Sequence, residues 1–197
     1  MKMNKKIRVT MAVILGICVV MYCVRVAKVN ADVSLPKVKT YGMREVVPYG
    51  KDFMEDTCVS SEGYSIKVLG THAYTKKEFS DKYDVKMEGD IPCDYVYTVN
   101  VKMYNDNKTQ DYQKGIFVGN MYLKSVNYFS FPQAELTAEI SKLPGAQFCL
   151  RPESDMDITL VYSMNRMYFD SLDEIKNTKF NMMITNNPTE KIIKLRK

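Results

Sequence analysis

The sequence predicts a mostly β protein: an antiparallel, immunoglobulin-like β-sandwich with two or three short helices in its connections, preceded by one N-terminal transmembrane or signal helix. Two observations predict the sandwich. About seven short stretches alternate apolar and polar residues with period two, and turn residues separate them every 8–15 residues. Strands do not alternate with long helices, so the pattern does not indicate a parallel α/β sheet.

The N-terminal helix is predicted from an uncharged apolar run. Val9 to Val24 is 16 residues long, and the helix extends further when Arg8 and Arg25 reach the two membrane interfaces. Four bases precede the run and two follow it, which favours a cytoplasmic N-terminus and an exported body. The residues expected in the membrane segment include Val9, Ile14, Leu15, Val19, Val20, Tyr22 and Val24.

The fate of this segment is open between two alternatives, and a third is disfavoured. A lipoprotein signal needs a small residue before the modified cysteine, but Ile17 and Tyr22 occupy those positions. Signal-peptidase cleavage after Ala31 fits the small-residue rule, with Val29 at −3 and Asp32 as the first mature residue. A retained signal anchor needs no further feature. The protein is then either a single-pass cell-membrane protein with an exported C-terminal domain, or a secreted one.

The sequence divides the chain into three predicted segments. Residues 1–31 are the signal peptide or signal anchor. Residues 32–50 are an extended linker or edge segment, because Pro36 and Pro48 disfavour helix. Residues 51–197 are the immunoglobulin-like domain, with no internal repeat and no second domain.

Within the domain, residues 63–75 alternate as a half-buried strand, and residues 93–107 alternate over the longest stretch. Thr75 and Glu78 match a capping box, which predicts a short helix over about 76–83. Residues 115–131 predict one long or two short strands with a bulge or turn at Gly119.

The C-terminal half continues the same pattern. Pro132 suits the first position of a helix over QAELTAEISKL. Two strand patterns, AQFCLRP and DMDITLVYSM, come next, and Ser171 opens a helical turn. The segments KFNMMIT and EKIIKLRK predict a final hairpin around residues 186–188.

The charge distribution argues against nucleic acid as a partner. The formal net charge is +5, but residues 1–31 carry six bases and no acid, which leaves 22 bases and 23 acids in the rest. Nucleic-acid binding usually requires an excess of positive charge on the binding domain. The basicity belongs to the N-terminal segment, where it bears on membrane topology.

The cysteines do not indicate a disulfide-rich scaffold or a zinc site. Cys58, Cys93 and Cys149 cannot all pair within one chain, so one disulfide with one free thiol, or three buried thiols, stay open. None lies at zinc-ligand spacing. Acidic groups such as Asp155 with Asp157 do not match a calcium loop. We therefore expect no metal site and no cofactor.

No motif nominates a catalytic residue. His72 is the single histidine, and no nucleophile motif accompanies it. The glycine-rich loops that cradle phosphates are absent as well. A pair of carboxylates from distant strands, as in glycoside hydrolysis, stays open, although nothing nominates one. The 14 tyrosines are the abundant contact-forming residues, and several fall in loops or at strand ends.

Three segments carry a resemblance to a known family: Gly63 to Val68, Tyr95 to Asn105, and Leu160 to Tyr162. Together they resemble the exported immunoglobulin-like domains of unknown function found in Gram-positive bacteria, over roughly residues 45–195. The resemblance implies a β-sandwich on the outer face of the membrane and no established activity, and it carries no catalytic residues. Many relatives have a lipobox that this chain lacks.

These observations lead to one expected function and two alternatives. We expect a non-enzymatic cell-envelope module, held at the membrane by its N-terminal helix, that binds a protein or another envelope component. The first alternative is an extracytoplasmic carbohydrate-acting hydrolase that uses a carboxylate pair. The second is a structural accessory subunit of a membrane complex. A β-sandwich by itself does not decide between them.

Overall fold

The structure, a computed structural model, describes residues 5–31, 36–55, 59–87 and 93–195. The chain divides into two compact units, residues 1–35 and residues 36–197. The first contains helix α1 (Lys5–Ala31) and the second contains the β-strands.

Helix α1 is long and apolar enough to cross a membrane. The span Val9–Ala31 has 23 residues and a mean hydropathy of 2.3. Its length of about 34 Å exceeds the roughly 30 Å of a bilayer's hydrocarbon core. Its apolar side chains lie exposed around the helix rather than along one stripe, as a lipid-facing helix requires. The predicted N-terminal apolar helix is therefore confirmed.

The second unit contains eleven strands, three α-helices and one 3-10 turn among the described residues. The helices are α2 (Lys76–Tyr83), α3 (Ala134–Ile140) and α4 (Leu172–Asn177), and the 3-10 turn is Val118–Asn120. The strands are β1 (Lys37–Tyr41), β2 (Val46–Pro48), β3 (Tyr64–Thr75), β4 (Tyr95–Asn105), β5 (Ile116–Phe117), β6 (Tyr122–Lys124), β7 (Phe129–Ser130), β8 (Gln147–Phe148), β9 (Ser154–Met164), β10 (Phe180–Thr185) and β11 (Thr189–Leu195).

The strands form two main sheets and one small pair. Sheet I has the order β1-β11-β10-β6-β7, sheet II has the order β2-β3-β4-β9, and β5 pairs with β8. The strand pairs of both sheets are antiparallel except β1 with β11, which is parallel. The prediction of an antiparallel sandwich was wrong at this pair, because β1 comes from the N-terminal edge segment and joins the sheet without a hairpin.

The main core lies between the two sheets, so the prediction of a mostly β sandwich is confirmed. Sheet II contributes the alternating positions of β4, among them Tyr97, Val99 and Val101, and sheet I contributes Leu123 and Phe180. The rings of Tyr97 and Phe180 meet across the core with centroids 4.9 Å apart. Period-two alternation produces this arrangement, because every second side chain points to the same face of a strand. The finer, immunoglobulin-like kind stays a prediction.

The segment before residue 51 is part of the compact unit. Strands β1 and β2, which lie within the predicted linker or edge segment, are the edge strands of sheet I and sheet II. The unit itself begins at Pro36, before the predicted domain start. The difference arises because these two short strands gain hydrogen-bond partners, β11 and β3, that are far away in the sequence.

The local predictions fared differently along the chain. Helix α2 occupies the predicted range and has the predicted capping box, in which Thr75 accepts from the Glu78 amide and Glu78 accepts from the Thr75 amide. Residues 115–131 are broken into β5, the 3-10 turn, β6 and β7, which is more divided than the predicted one or two strands. The ring of Phe117 lies over Gly119, where a Cβ would come within 2.5 Å of it, so a larger residue at this turn would have to displace the ring.

A second, smaller core covers part of the outer face of sheet II. Phe79 of α2, Val85, Val96 of β4 and Val161 of β9 are buried together there. The partly buried side chains packed against them include Tyr74, Tyr83, Leu136 and Ile140. Helices α2 and α3 are therefore fixed on this face, and they leave the rest of it open.

Candidate functional site

A groove of about 460 Å³ lies on the outer face of sheet II, where the cover provided by α2 and α3 ends. We call it the sheet II groove. The residues that line it are Leu69, Gly70, His72, Tyr83, Asn100, Val101, Ile140, Ser141, Lys142, Asp157, Ile158 and Thr159.

The floor of the groove is one cross-strand row of sheet II. Gly70, Asn100 and Thr159 are register partners on β3, β4 and β9. The Thr159 hydroxyl donates to Asn100 Oδ1 at 3.1 Å, and this bond fixes the orientation of the amide. Among the described residues no group accepts from Asn100 Nδ2. The floor therefore offers two amide N–H donors to a ligand.

The depth of the floor depends on Gly70. A Cβ built on this glycine meets no heavy atom within 4 Å, so the space above it is open. Leu69 occupies a register irregularity between Val68 and Gly70. Such a bulge turns a side chain out of its regular alternation, and Leu69 accordingly stands at the rim of the groove.

The walls of the groove are the C-terminal ends of two helices. Tyr83 is the last residue of α2, and Ile140 is the last residue of α3. The Ser141 hydroxyl, just beyond α3, accepts from the Thr159 amide at 3.0 Å and ties this wall to the floor. Lys142 follows with φ +54° and stands exposed at the rim.

The charged groups around the groove are partly paired. Asp157 contacts Lys102 Nζ at 3.3 Å, and the same ammonium binds Asp155 at 2.8 Å. The hydrogen bonds from Lys102 to the two carboxylates, that to Asp155 first, raise the pKa of the lysine. Lys142 joins no ion pair among the described residues. The groove thus combines one neutralised carboxylate, one unpaired ammonium and an uncharged polar floor.

His72 lies at the edge of the groove. Its ring stacks on that of Tyr74 with centroids 6.1 Å apart and an interplanar angle of 23°. In the part of the chain that the structure describes, the imidazole hydrogen-bonds to no serine, cysteine or carboxylate side chain. This geometry suits a contact to a ligand, because nothing around the ring orients it as a general base.

The molecule has a second depression, of about 500 Å³, at one end of sheet I. It lies among loops, and the residues that line it include Val126, Tyr128 and Tyr168. Tyr128 is engaged internally, since its hydroxyl donates to the Ser163 carbonyl at 3.0 Å and its ring packs on Phe169. The sheet II groove is the stronger candidate because the amide N–H groups of Asn100 and the ammonium of Lys142, which both line it, have no internal partners among the described residues.

The residues singled out in the sequence fall into separate places. The expected membrane residues, from Val9 to Val24, all lie in α1, as do Val29 and Ala31 of the cleavage flank. Asp32 lies outside the described residues. His72 and Asp157 both line the groove, and Asp155 stands one row further along the sheet.

The cysteines and acidic groups form no metal site where the structure describes them. Cys93 and Cys149 are both free thiols. Cys58 lies outside the described residues, so the prediction for its thiol is not tested. The nearby acid Asp52 is held by two lysine ammonium groups.

Sequence reasoning missed Asn100, Gly70, Thr159 and Ser141 as groove residues. A signal was present, because asparagine is depleted in strands and Asn100 lies in the middle of the most regular one. The contribution of Ser141 could not be found in this way, because α3 reaches β9 only through tertiary packing.

Two packed sheets, with a polar groove on the outer face of one, define a mostly β, sandwich-like domain. Residues 38–191 match the domain of unknown function DUF5028. The chain belongs to this family.

The structure is also similar to the crystal structure of an uncharacterised β-sandwich protein from Clostridium difficile 630. The two are 10% identical with a TM-score of 0.43, and the alignment covers 82% of this chain and 96% of that one. No curated protein matches the sequence.

Proposed function

We propose that this protein is a non-enzymatic, extracytoplasmic module, anchored in the cell membrane by α1, that binds an envelope protein or polymer through the sheet II groove. The observation that carries the proposal is the groove itself. It sets the unpartnered amide N–H groups of Asn100 between two helix ends, and Lys142 also lines it. Oriented donors on a rigid sheet are suited to recognising a polar ligand.

Membrane anchoring is supported by α1 and by the distribution of charge. The span Val9–Ala31 is long enough for a bilayer. Residues 1–8 contribute four bases and residues 25–28 two, which favours a cytoplasmic N-terminus under the positive-inside rule. The domain from Pro36 onward is then outside the cell. We further propose the immunoglobulin-like kind and the Gram-positive envelope that the family resemblance implies.

The contents of the groove favour binding over hydrolysis. A carbohydrate-acting hydrolase needs two carboxyl groups on either side of the scissile bond. Asp157 is the carboxylate among the groove's described lining residues, and it is held by Lys102. The alternative of an accessory subunit in a membrane complex differs from the proposal in its partner, which would be constant and stoichiometric.

A groove-filling variant tests the proposal. We expect Gly70→Leu to fill the groove without a clash, because its Cβ has no neighbour within 4 Å. The full-length chain, with a photo-crosslinker near the groove rim, is used for capture from native envelopes. We expect a crosslinked partner for the wild type and at least a tenfold smaller yield for Gly70→Leu.

Gly145→Leu is the matched control. The Cβ added there meets only the Gln147 carbonyl at 3.8 Å, and Gly145 does not line the groove. This variant should capture the partner as the wild type does. Equal capture by Gly70→Leu would move the binding site elsewhere. Reproducible turnover of an envelope polymer that Asp157→Asn abolishes would replace the binding function by the hydrolase.

A further inference from the structure

The outer face of sheet I carries a cluster of exposed aromatic rings. Tyr122 of β6, Phe129 of β7 and the adjacent Phe131 pack on one another with centroids 5.0–5.3 Å apart. Phe129 is 48% exposed and Phe131 is 58% exposed. Leu123, the next residue after Tyr122 on β6, points into the core. The three rings therefore lie on the face of sheet I that is turned away from the core.

The cluster continues across the sheet in two rows. In the first, Tyr122 is paired with Met183, which is paired with Ile192. In the second, Phe129 is paired with Lys124, Lys124 with Asn181, and Asn181 with Lys194.

The whole surface is called the aromatic face. Lys124 and Lys194 are exposed on it, and neither joins an ion pair among the described residues. Glu190 is an acidic residue on the same side of β11. The aromatic face therefore has one apolar row, in which Met183 is itself buried, beside a row that carries two free ammonium groups.

The segment between α1 and sheet I is short in sequence. Five residues, 32–36, separate Ala31 from the first residue of β1, and the six steps from Ala31 to Lys37 reach at most roughly 22 Å. Strand β1 is itself part of sheet I. Thr40 is in register with Ile192, so the apolar row lies three residues, or about 10 Å, along the strand from Lys37.

We propose that the aromatic face rests on the outer leaflet of the bilayer, with the rings of Phe129 and Phe131 at headgroup level and the two lysines against anionic lipid. Tyrosine is enriched at this interface, phenylalanine is typical of the apolar side of interfacial segments, and each nearby ammonium gains from a negative leaflet. Because the sheet II groove is on the opposite side of the sandwich, it faces away from the membrane. The proposal deepens the proposed function and rests on its membrane anchoring.

The absence of tryptophan from the chain provides a clean reporter. Phe131→Trp places a single tryptophan in the aromatic face. Tyr104→Trp is the matched control, since Tyr104 lies on the outer face of sheet II between Ser65 and Asp155. Each full-length variant is reconstituted into nanodiscs of phosphatidylglycerol and phosphatidylethanolamine, with or without brominated acyl chains.

We expect brominated lipid to quench Phe131→Trp at least threefold more than Tyr104→Trp, with a blue-shifted emission. Equal quenching of the two variants overturns the docking. A blue shift that rises with the number of chains per disc, without quenching, shows that a second copy covers the face, and it also overturns the proposal. Phe129→Trp replaces Phe131→Trp if that variant does not fold.

Co-elution with the nanodiscs tests membrane anchoring separately from the docking of the aromatic face. If the chain does not co-elute with the discs, membrane anchoring is overturned whatever the fluorescence shows. If it co-elutes and the two tryptophans are quenched alike, the anchoring stands and only the docking fails.

Discussion

At the level of single residues, Lys191 of the β domain has a buried ammonium group. Its side chain is 4% exposed, and Nζ donates to Asp52 Oδ1 at 2.7 Å, to the Pro48 carbonyl at 3.1 Å and to the Tyr49 carbonyl. Gly50, with φ +70°, lets the backbone wrap this closely, since a Cβ there would lie 3.1 Å from Nζ. A buried charge needs this full set of acceptors.

The same contact changes the pKa of the Asp52 carboxyl. The hydrogen bond from Lys191, and after it the one from Lys39, hold the pKa of Asp52 well below its usual range. A carboxylate whose pKa is lowered by folding stabilises the protein above its unfolded pKa of about 3.9, and that stabilisation is lost as the pH falls further.

We predict that Asp52→Asn lowers the free energy of unfolding at pH 7 by about 1–2 kcal/mol, less than for a fully buried pair because the Asp52 side chain is 40% exposed. The difference from the wild type should shrink as the pH falls from 5 towards 2. Urea unfolding across that range measures it. Asp155→Asn, at the exposed pair with Lys102, is the control and should change stability far less. A pH-independent difference would contradict the assignment.

Single residues were only partly predictable from the sequence. The strand predicted over residues 93–107 is present as β4, and its last residue is Asn105. Its further role was not visible. Asn105 Nδ2 donates to the carbonyls of Leu150 and Arg151, 45 and 46 residues away. Such bonds follow from tertiary contacts, which a local pattern does not contain.

At the level of elements, α3 protects the free edge of sheet II. Strand β9 is the last strand of this sheet, and an open edge leaves backbone groups unpaired. The Thr137 hydroxyl accepts from the Val161 amide at 3.1 Å, and the Gln133 amide donates to the Val161 carbonyl at 2.7 Å. The Ser141 hydroxyl likewise accepts from the Thr159 amide. Through these bonds α3 takes the place of a neighbouring strand.

We predict that Thr137→Val costs about 1–3 kcal/mol, because it leaves the buried Val161 amide without an acceptor while keeping the side chain's shape. Hydrogen exchange at Val161 should speed up by at least tenfold. Thr137→Ser keeps the hydroxyl and serves as the control, with exchange at Val161 close to the wild-type rate. If Thr137→Val left that exchange unchanged, the edge-capping role would be refuted.

Elements with strong local signals were predicted well. Strand β4 alternates along its 11 residues, and α2 has a capping box with Thr75 as its N-cap. The short strands β5, β7 and β8 have two residues each and no periodicity to detect. They exist because tertiary neighbours supply their hydrogen bonds, so the sequence could not separate them from loops.

At the level of the whole molecule, the sandwich class and the apolar N-terminal helix followed from composition and periodicity. The groove did not, because it depends on where α2 and α3 stop covering sheet II. Nor did the parallel pairing of β1 and β11, which joins residues about 150 positions apart.

The fate of the N-terminal segment is a whole-molecule prediction. We expect the intact mass of the membrane-extracted protein to correspond to a retained α1, because the uncharged run is longer than an ordinary signal core and bases occupy the region before Ala31. A mature chain that starts at Asp32 would show cleavage instead. Ala31→Arg, which should block cleavage, is the control: it changes nothing if α1 is retained.

The parallel pairing of β1 with β11 also determines how the β domain responds to a pulling force. The two strands run in the same direction, so the force from a tether at Lys37 and a load applied at Leu195 act at opposite ends of one ladder. The ladder is then sheared, and the hydrogen bonds of all five register pairs bear the load together. An antiparallel pair held at neighbouring ends would open one bond at a time. A domain joined to a membrane through β1 would therefore resist extraction along this axis.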